Sequence, residues 1–181
     1  MNALPSAVFL DRDGTIIVDR KYISRPEDVE LIEGAAEAIA RINATLVPVV
    51  VVTNQSGIGR GYFTETDYER VKERVDQLLA QRGARIDATY FCPHKPEDRC
   101  ECRKPGRLLF DNATMDLGID LRQALLIGDR FRDIEPANAF GARGVLVPAS
   151  HTPAEEVAQA MKSARVADSL ATALDLYLCT N

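Results

Sequence analysis

Short apolar runs alternate along the chain with longer stretches in which apolar residues recur every three or four positions. Runs of roughly four to eight residues rich in β-branched side chains predict buried strands, whereas the periodic stretches predict amphipathic helices. This alternation favours a parallel sheet, because parallel neighbours need a crossover between them. The predicted strands are residues 7–11, 46–53, 88–92, 124–128 and 144–147.

Amphipathic stretches fill the gaps between these strands. Thr64 stands directly before one of them and has the hydroxyl of a typical helix N-cap. Residues 153–177 predict two more helices on either side of a short segment near Val166. The other predicted helices are residues 34–43, 65–82, 107–117 and 134–140.

Residues 15–33, called the flap below, are polar and have no convincing period, and they predict a hairpin-like segment over the end of the first strand. No repeat and no Pro/Gly/Ser-rich linker divides the chain, so residues 1–181 are expected to form one domain without a separate cap domain. The predicted fold class is α/β: a doubly wound, Rossmann-like parallel sheet with helices on both faces and a loop insertion at residues 92–102.

Composition narrows the classes of function. A chain of 181 residues with 46% hydrophobic and 27% charged residues can bury a sizeable core. Its formal net charge of −5 argues against a nucleic-acid or anionic-membrane surface. No secretory signal pattern is visible, and no apolar stretch approaches the ~20 residues that span a bilayer. A cytoplasmic monomer without nucleic-acid or membrane partners is therefore expected.

Two carboxylates close the first predicted strand, in the sequence Asp-Arg-Asp-Gly. Residues i and i+2 of a strand point the same way, so Asp11 and Asp13 are expected to reach the crevice beyond its carboxyl end, where Gly14 lets the backbone turn. One carboxylate can attack a substrate while the other transfers protons. The alternative interpretation is a strand followed by an acidic turn without catalytic function.

Three later strand or helix ends carry matching groups. Thr53 and the turn after it suit phosphate oxygens, and Lys104 precedes a helix whose N-terminal amides favour anions. Asp129 follows an apolar strand, and its carboxylate suits a hard cation. Asp133 is predicted either to lie just behind the cation ligands or to cap a helix. These positions are far apart in sequence but converge in a doubly wound sheet.

Phosphoryl transfer explains why acids and cations would coexist. A carboxylate attacking a phosphate ester meets like-charge repulsion, which Mg²⁺ and a lysine offset. Asp11 would become a phosphoaspartate, while Asp13 would protonate the leaving alcohol and then deprotonate the attacking water. The predicted Mg²⁺ ligands are Asp11, the backbone carbonyl of Asp13, and Asp129.

Four soft ligands lie within residues 92–102, called the zinc loop below. Three thiols and one imidazole match closed, tetrahedral structural Zn²⁺, and unliganded reduced cysteines are the alternative. The CxC spacing argues against a redox pair. Elsewhere, Cys179 is interpreted as a lone thiol and His151 as a solvated surface histidine. The predicted zinc ligands are Cys92, His94, Cys100 and Cys102.

The motifs DxDGT, Thr53, Lys104 and GDxxxD resemble, in order, the four motifs of the haloacid dehalogenase (HAD) superfamily phosphatases, over most of the chain. The stretches FLDRDGTI, VVTNQSGIGRG and CxHx₅CxC followed by RKPG are similar to a small capless branch that hydrolyses a heptose 1,7-bisphosphate. The resemblance implies Mg²⁺-dependent removal of the C7 phosphate, with the β-anomer favoured, on the route to ADP-heptose and the lipopolysaccharide core.

The same resemblance implies which residues contact the sugar bisphosphate. Arg130 stands where relatives often carry a lysine, which keeps the charge but changes its reach. The loop between His94 and Cys100 is shorter than in many relatives. The implied contacts are Asp19, Arg20, Lys21, Tyr22, Asn54, Gln55, Ser56, Arg103 and Arg130.

Two other functions remain open at this point. A sister branch that hydrolyses histidinol phosphate has similar aspartate motifs and a similar zinc loop, and spacing separates the two branches poorly. A signalling receiver domain also combines an aspartyl phosphate, a threonine, a lysine and Mg²⁺ on a parallel sheet. Its acceptor normally follows a later strand, whereas this chain carries DxD at the first.

Overall fold

Six short strands form one parallel sheet in the computed structural model, which describes residues 4–178. The strand order is β3-β2-β1-β4-β5-β6, so the first strand lies between the second and the fourth. The fold is therefore the predicted doubly wound α/β type. The strands are β1 Val8–Leu10, β2 Val49–Asn54, β3 Ala88–Cys92, β4 Leu125–Gly128, β5 Arg143–Leu146 and β6 Arg165–Val166.

Helices connect the strands largely where the sequence predicts them. Thr64 caps the longest helix through a capping box with Asp67, as its side chain accepts the Asp67 amide hydrogen at 3.1 Å. The helices are α1 Ala35–Ala44, α2 Ser56–Gly59, α3 Glu65–Ala80, α4 Leu108–Leu117, α5 Phe131–Ile134, α6 Pro136–Phe140, α7 Ala154–Ser163 and α8 Leu170–Leu178.

Two predicted elements differ from the structure for local reasons. The strand predicted at residues 46–53 begins only at Val49, because Leu46 has a left-handed backbone with φ 62° and Pro48 has no amide hydrogen to donate. The single helix predicted at residues 134–140 is two short helices, α5 and α6, since Pro136 starts a new helix.

The sheet separates two apolar layers. Alternate strand residues face opposite sides: Val8 and Leu10 pack with α1, α3 and α8, whereas Phe9 packs with α4 and α6. Strands buried on both faces match the continuous apolar runs in the sequence. The polar groups at the strand ends thus rest on a rigid, fully packed support.

The flap folds back on itself as a hairpin-like segment. Ile17 pairs antiparallel with Leu31, and the Val18 amide donates to the Glu30 carbonyl at 2.9 Å. Although most flap residues are polar, Ile16 and Ile17 are fully buried in the core. The base of the flap is consequently anchored, and its tip reaches the carboxyl end of the sheet.

Within residues 4–178, no helix is long and apolar enough to cross a membrane. Cys179, interpreted above as a lone thiol, lies outside the described residues.

Candidate active site

The candidate site lies where β1 meets its neighbours β2 and β4, at their carboxyl ends. Ligands of open α/β sheets bind at this switch in strand order. Asp11 follows β1, Thr53 is the second-last residue of β2, and Asp129 follows β4. A pocket of about 760 Å³, within the size range of small-molecule sites, opens above Asp11 and Asp129, whereas Thr53 is buried and does not line it.

Lys104 links two carboxylates at the floor of this pocket. Its Nζ lies 2.8 Å from Asp11 Oδ1 and 2.9 Å from Asp133 Oδ1, and it also donates to the Val52 carbonyl. Burial alone would lower the pKa of Lys104, but Asp11 and Asp133 raise it above its ordinary value. The ammonium therefore stays charged beside the predicted nucleophile.

Asn54 holds the backbone that carries Lys104. Its Oδ1 accepts the Lys104 amide hydrogen at 3.0 Å, and its Nδ2 donates to the Lys104 carbonyl at 3.2 Å. Such a paired contact joins the end of β2 to the segment after the zinc loop. Asn54, predicted from the resemblance to contact substrate, thus also positions the lysine.

Asp13 is held by two side chains. Gln55 Nε2 donates to Asp13 Oδ2 at 2.8 Å and to Thr53 Oγ1 at 2.9 Å, and Arg12 Nε donates to Asp13 Oδ2 at 3.1 Å. Arg12 is only 3% exposed and lies over the Tyr68 ring. The sequence reasoning missed Arg12, although a charged residue inside an apolar strand end between two aspartates was a usable signal.

Three carboxylates at the pocket floor could hold a metal ion. Asp11, Asp129 and Asp133 each place an oxygen within 4.8 Å of the others. Asp129 Oδ1 is buried and has no hydrogen-bond partner among the described residues. Burial, and then the charges of Asp11 and Asp133, raise the pKa of Asp129 to about 8. Such crowded oxygen donors fit a hard divalent cation, which would relieve their repulsion.

Gly14 leaves room for this arrangement. It has a left-handed backbone with φ 86°, and a Cβ atom there would lie 2.7 Å from the carboxyl carbon of Asp129. A side chain at this turn would therefore displace a candidate cation ligand. The glycine of the DxDG motif is required by both the turn and the close approach.

The position of Asp133 is compatible with both predicted roles, a helix cap and a residue beside the cation ligands. Its Oδ2 accepts the Arg130 amide hydrogen at 2.9 Å at the start of α5, and its Oδ1 pairs with Lys104. It also lies in the carboxylate cluster. Burial raises the pKa of Asp133, and the Lys104 ammonium acts in the opposite direction.

The zinc loop brings its four predicted ligands together. Cys92 Sγ lies 3.0 Å from Cys102 Sγ and 3.5 Å from Cys100 Sγ, and His94 Nδ1 lies 3.2 Å from Cys102 Sγ. Tetrahedral zinc bound by sulfur and nitrogen places its ligand atoms roughly 3.5–3.8 Å apart. Two of these distances are shorter than a bound zinc would set, but the four ligand atoms lie within 4.8 Å of one another, close enough to share one ion, and Cys102 lies two residues before Lys104.

The pocket wall contains most of the residues that the resemblance implied as substrate contacts. Arg20 is not part of the wall formed by residues 4–178, and its guanidinium pairs with Glu30 in the other limb of the flap. Arg60 and Arg132 line the pocket and were missed. The implied contacts found in the wall are Asp19, Lys21, Tyr22, Asn54, Gln55, Ser56, Arg103 and Arg130.

Arg130 is tied to the neighbouring helix. Its guanidinium forms an ion pair with Glu156 in α7, and the Phe131 amide donates to the same carboxylate at 2.7 Å. The hydrogen bond from Arg130 lowers the pKa of Glu156. Arg130 therefore lines the pocket, but the ion pair with Glu156 restricts the movement of its side chain toward a ligand.

His151 does not behave as the solvated surface histidine that its polar turn suggested. Its Nε2 lies 2.8 Å from Asp129 Oδ2 and 3.5 Å from Asp19 Oδ2, and its side chain is about one-third exposed. The interpretation was wrong because both partners are remote in sequence. No local pattern around residue 151 could have identified them.

Comparisons with known proteins agree with this geometry. A HAD-hydrolase-like family model matches residues 101–173. The D-glycero-beta-D-manno-heptose-1,7-bisphosphate 7-phosphatase of Haemophilus ducreyi is 40% identical over 144 residues, 76% of this chain and 79% of that one. The enzyme of the same name from Escherichia coli K12 is 40% identical over 140 residues, 74% of this chain and 73% of that one.

Solved structures give the same result. The chain resembles the D,D-heptose 1,7-bisphosphate phosphatase of B. bronchiseptica, solved with magnesium and phosphate, with a TM-score of 0.85 and 31% identity over 95% of this chain and 98% of that one. It also resembles the D,D-heptose 1,7-bisphosphate phosphatase of Burkholderia thailandensis, with a TM-score of 0.70 and 32% identity over 94% of this chain and 97% of that one.

Proposed function

The chain belongs to the D-glycero-D-manno-heptose 1,7-bisphosphate 7-phosphatase family of HAD-like hydrolases, and from this premise we propose that it releases the C7 phosphate of that bisphosphate. The products are heptose 1-phosphate, on the route to ADP-heptose and the lipopolysaccharide core, and inorganic phosphate. The observation that carries the proposal is the buried contact of Lys104 with Asp11 at the meeting point of β1, β2 and β4.

Asp11 is the nucleophile. Lys104 holds its Oδ1, so the second carboxylate oxygen is free to attack phosphorus. The new oxygen–phosphorus bond forms as the bond from phosphorus to the C7 oxygen breaks, giving a phosphoaspartate and an alkoxide that takes a proton. Lys104 can then face the transferring phosphoryl group and offset its charge.

Asp13 supplies that proton and later removes one from water. Arg12 and Gln55 fix the orientation of its carboxylate. Less orientational entropy is therefore lost when the transition state forms. After proton transfer to the leaving oxygen, the Asp13 carboxylate accepts a proton from the water that attacks the phosphoaspartate. Phosphate leaves, and the carboxylate of Asp11 is restored.

Thr53 is suited to bind a phosphate oxygen. Its Oγ1 accepts a hydrogen bond from Gln55, so its own hydroxyl hydrogen is available to donate. Ser56 and Gly57, at the start of α2, line the pocket. Both features support a phosphate group directly above Asp11.

A divalent cation would complete the charge balance. Asp11, Asp129 and the backbone carbonyl of Asp13 are the proposed Mg²⁺ ligands, with Asp133 beside them. When bound, Mg²⁺ supplies positive charge that offsets the repulsion between the carboxylates and the phosphoryl oxygens. The partnerless Asp129 Oδ1 supports this assignment.

We assign a structural Zn²⁺ to Cys92, His94, Cys100 and Cys102. The loop they close is short and polar, and burial alone would not order it. Arg103 and Lys104 follow the last ligand directly, so a fixed loop fixes the two cations.

Positive side chains on the zinc-loop side of the pocket favour a bisphosphate over histidinol phosphate. Arg60, Arg103 and Arg132 line this wall. Burial, and then the charge of Arg132, lower the pKa of Arg103, while Arg60 lies 3.6 Å from Glu97. A second phosphate would pair with these cations, whereas an imidazole would not.

The experiment compares kcat/KM for both anomers of heptose 1,7-bisphosphate and for histidinol phosphate, with the phosphate position in the product read by ³¹P NMR. We expect preference for the bisphosphate, highest for the β-anomer, and loss of most of that preference in Arg103→Ala. Preference for histidinol phosphate would replace the substrate and leave the hydrolytic mechanism in place.

A further inference from the structure

We infer that His151 is a positioning residue for the cation site: it holds one oxygen of Asp129, directs the other to the cation, and joins that carboxylate to the flap. The inference rests on the cation site of the proposed function, and it concerns a residue that sequence patterns assign to the surface.

The two oxygens of Asp129 have different surroundings. Oδ2 lies 2.8 Å from His151 Nε2, whereas Oδ1 is buried without a hydrogen-bond partner in the described part of the chain. A half-turn of the carboxylate only exchanges two equivalent oxygens and keeps the contact with the ring, whereas any smaller rotation breaks it. His151 therefore selects one orientation of Asp129, in which Oδ1 is the oxygen available to a cation.

The turn that carries His151 is itself fixed to Asp129. Thr152 Oγ1 donates to the Asp129 backbone carbonyl at 2.8 Å and accepts the Ala149 amide hydrogen at 2.9 Å. Residues 151 and 152 thus grip the backbone and the side chain of the same aspartate. This double contact is the arrangement expected of a support for a metal ligand, and such supports govern metal affinity.

The same ring nitrogen faces the flap. Asp19 Oδ2 lies 3.5 Å from His151 Nε2, and Asp19 Oδ1 accepts the Lys21 amide hydrogen at 2.7 Å. When Asp129 ligates a cation it is ionised and only accepts hydrogen bonds, so the Nε2–H group then donates to it, at the shorter of the two distances. The imidazole is consequently a bridge between the flap tip and the cation site.

The test measures Mn²⁺ binding by electron paramagnetic resonance in the absence of any sugar phosphate, using the full chain with its zinc retained. We expect His151→Ala to bind Mn²⁺ about 10- to 100-fold more weakly than wild type. His151→Gln should recover most of the affinity, because its amide can donate from a similar position. Glu155→Gln, an exposed change at the start of α7, is the matched control and should bind as wild type does.

Wild-type affinity in His151→Ala, with thermal unfolding showing a folded protein, would overturn the inference and leave the phosphatase proposal intact. Failure of the wild type itself to bind Mn²⁺ would overturn both. Imidazole ¹⁵N spectra give a second readout, since the chain has 2 histidines and His151→Ala assigns the signal. We expect Mg²⁺ to shift the His151 resonances, and an unchanged spectrum in Mg²⁺-saturated protein would count against the bridge.

Discussion

The ammonium of Lys104 contacts the carboxylate of Asp133 at 2.9 Å, with both side chains almost completely buried. Asp11 shares the same ammonium, so one cation balances two carboxylates, and Asp129 lies in the same cluster. Acidic groups thus outnumber cations at the pocket floor. We expect the charge balance of this cluster to affect both the stability and the activity of the protein.

Removal of the Lys104 charge should therefore lower both the stability and the activity of the protein. We expect Lys104→Met to lower the free energy of unfolding of the Mg²⁺-free protein by about 3–5 kcal/mol, because buried carboxylates lose their partner. Turnover should fall about 10²- to 10³-fold, as for loss of one charge-stabilising donor. Urea denaturation and phosphate release measure the two effects. A variant as stable as wild type would show that the ion pair contributes little.

Gln55 should act on turnover more than on substrate binding. Its amide holds Asp13 and Thr53, so Gln55→Leu is expected to lower kcat about 10²-fold while KM changes less. Ser56→Ala is the comparison, since Ser56 lines the pocket and its hydroxyl is a predicted substrate contact. Steady-state kinetics separate the two roles. A change confined to KM in Gln55→Leu would place that side chain on the substrate instead.

The raised pKa of Asp129 gives a pH dependence of defined sign. Burial and the nearby carboxylates raise this pKa to about 8, so the folded chain binds a proton that the unfolded chain releases near pH 4. Its stabilising contribution is present at low pH and is lost as pH rises through about 8. We expect Mg²⁺-free protein to lose stability progressively between about pH 4, where the unfolded aspartate titrates, and about pH 8, where the folded one does.

Mg²⁺ should reverse this loss, because it binds the ionised carboxylate. Urea unfolding with and without Mg²⁺, at a series of pH values, measures the effect. Asp129→Asn carries an amide that does not titrate and is the matched control. Equal pH dependence in this variant and in the wild type would assign the transition to another group.

The zinc assignment predicts different behaviour for the two histidines. His94→Ala should lose zinc and unfold at lower temperature, since each 1 kcal/mol corresponds to about 2–4 °C in a chain of this size. His151→Ala should keep its zinc because it lies at the other metal cluster. Elemental analysis of purified protein gives the metal content. Full zinc in His94→Ala would contradict the ligand set.

The sequence predicted those site residues whose positions depend on nearby residues in the chain. Asp11, Thr53 and Asp129 follow apolar strands, and the parallel topology then brings strand ends together without further information. The zinc ligands were readable for the same reason, as all four lie within one short segment. Their roles in catalysis and metal binding remain proposals.

Contacts between remote segments could not be predicted in this way. The pairing of His151 with Asp129 depends on how the turn after β5 packs over the end of β4, and nothing near residue 151 encodes it. The buried Ile16 and Ile17 form a short apolar run with Val18, which the interpretation of the whole flap as polar overlooked. Leu46 was assigned to a strand on hydrophobicity, but its left-handed backbone places it in an exposed turn.

Phosphorylation of Asp11 tests the central claim most directly. Wild-type protein with Mg²⁺ is mixed with heptose 1,7-bisphosphate, quenched in acid within the first turnover, and digested for mass spectrometry. We expect one phosphate on the peptide that contains Asp11, and neither that adduct nor phosphate release in Asp11→Asn. Phosphate release that persists in Asp11→Asn, or a wild-type phosphoryl group on a different residue, would contradict that claim.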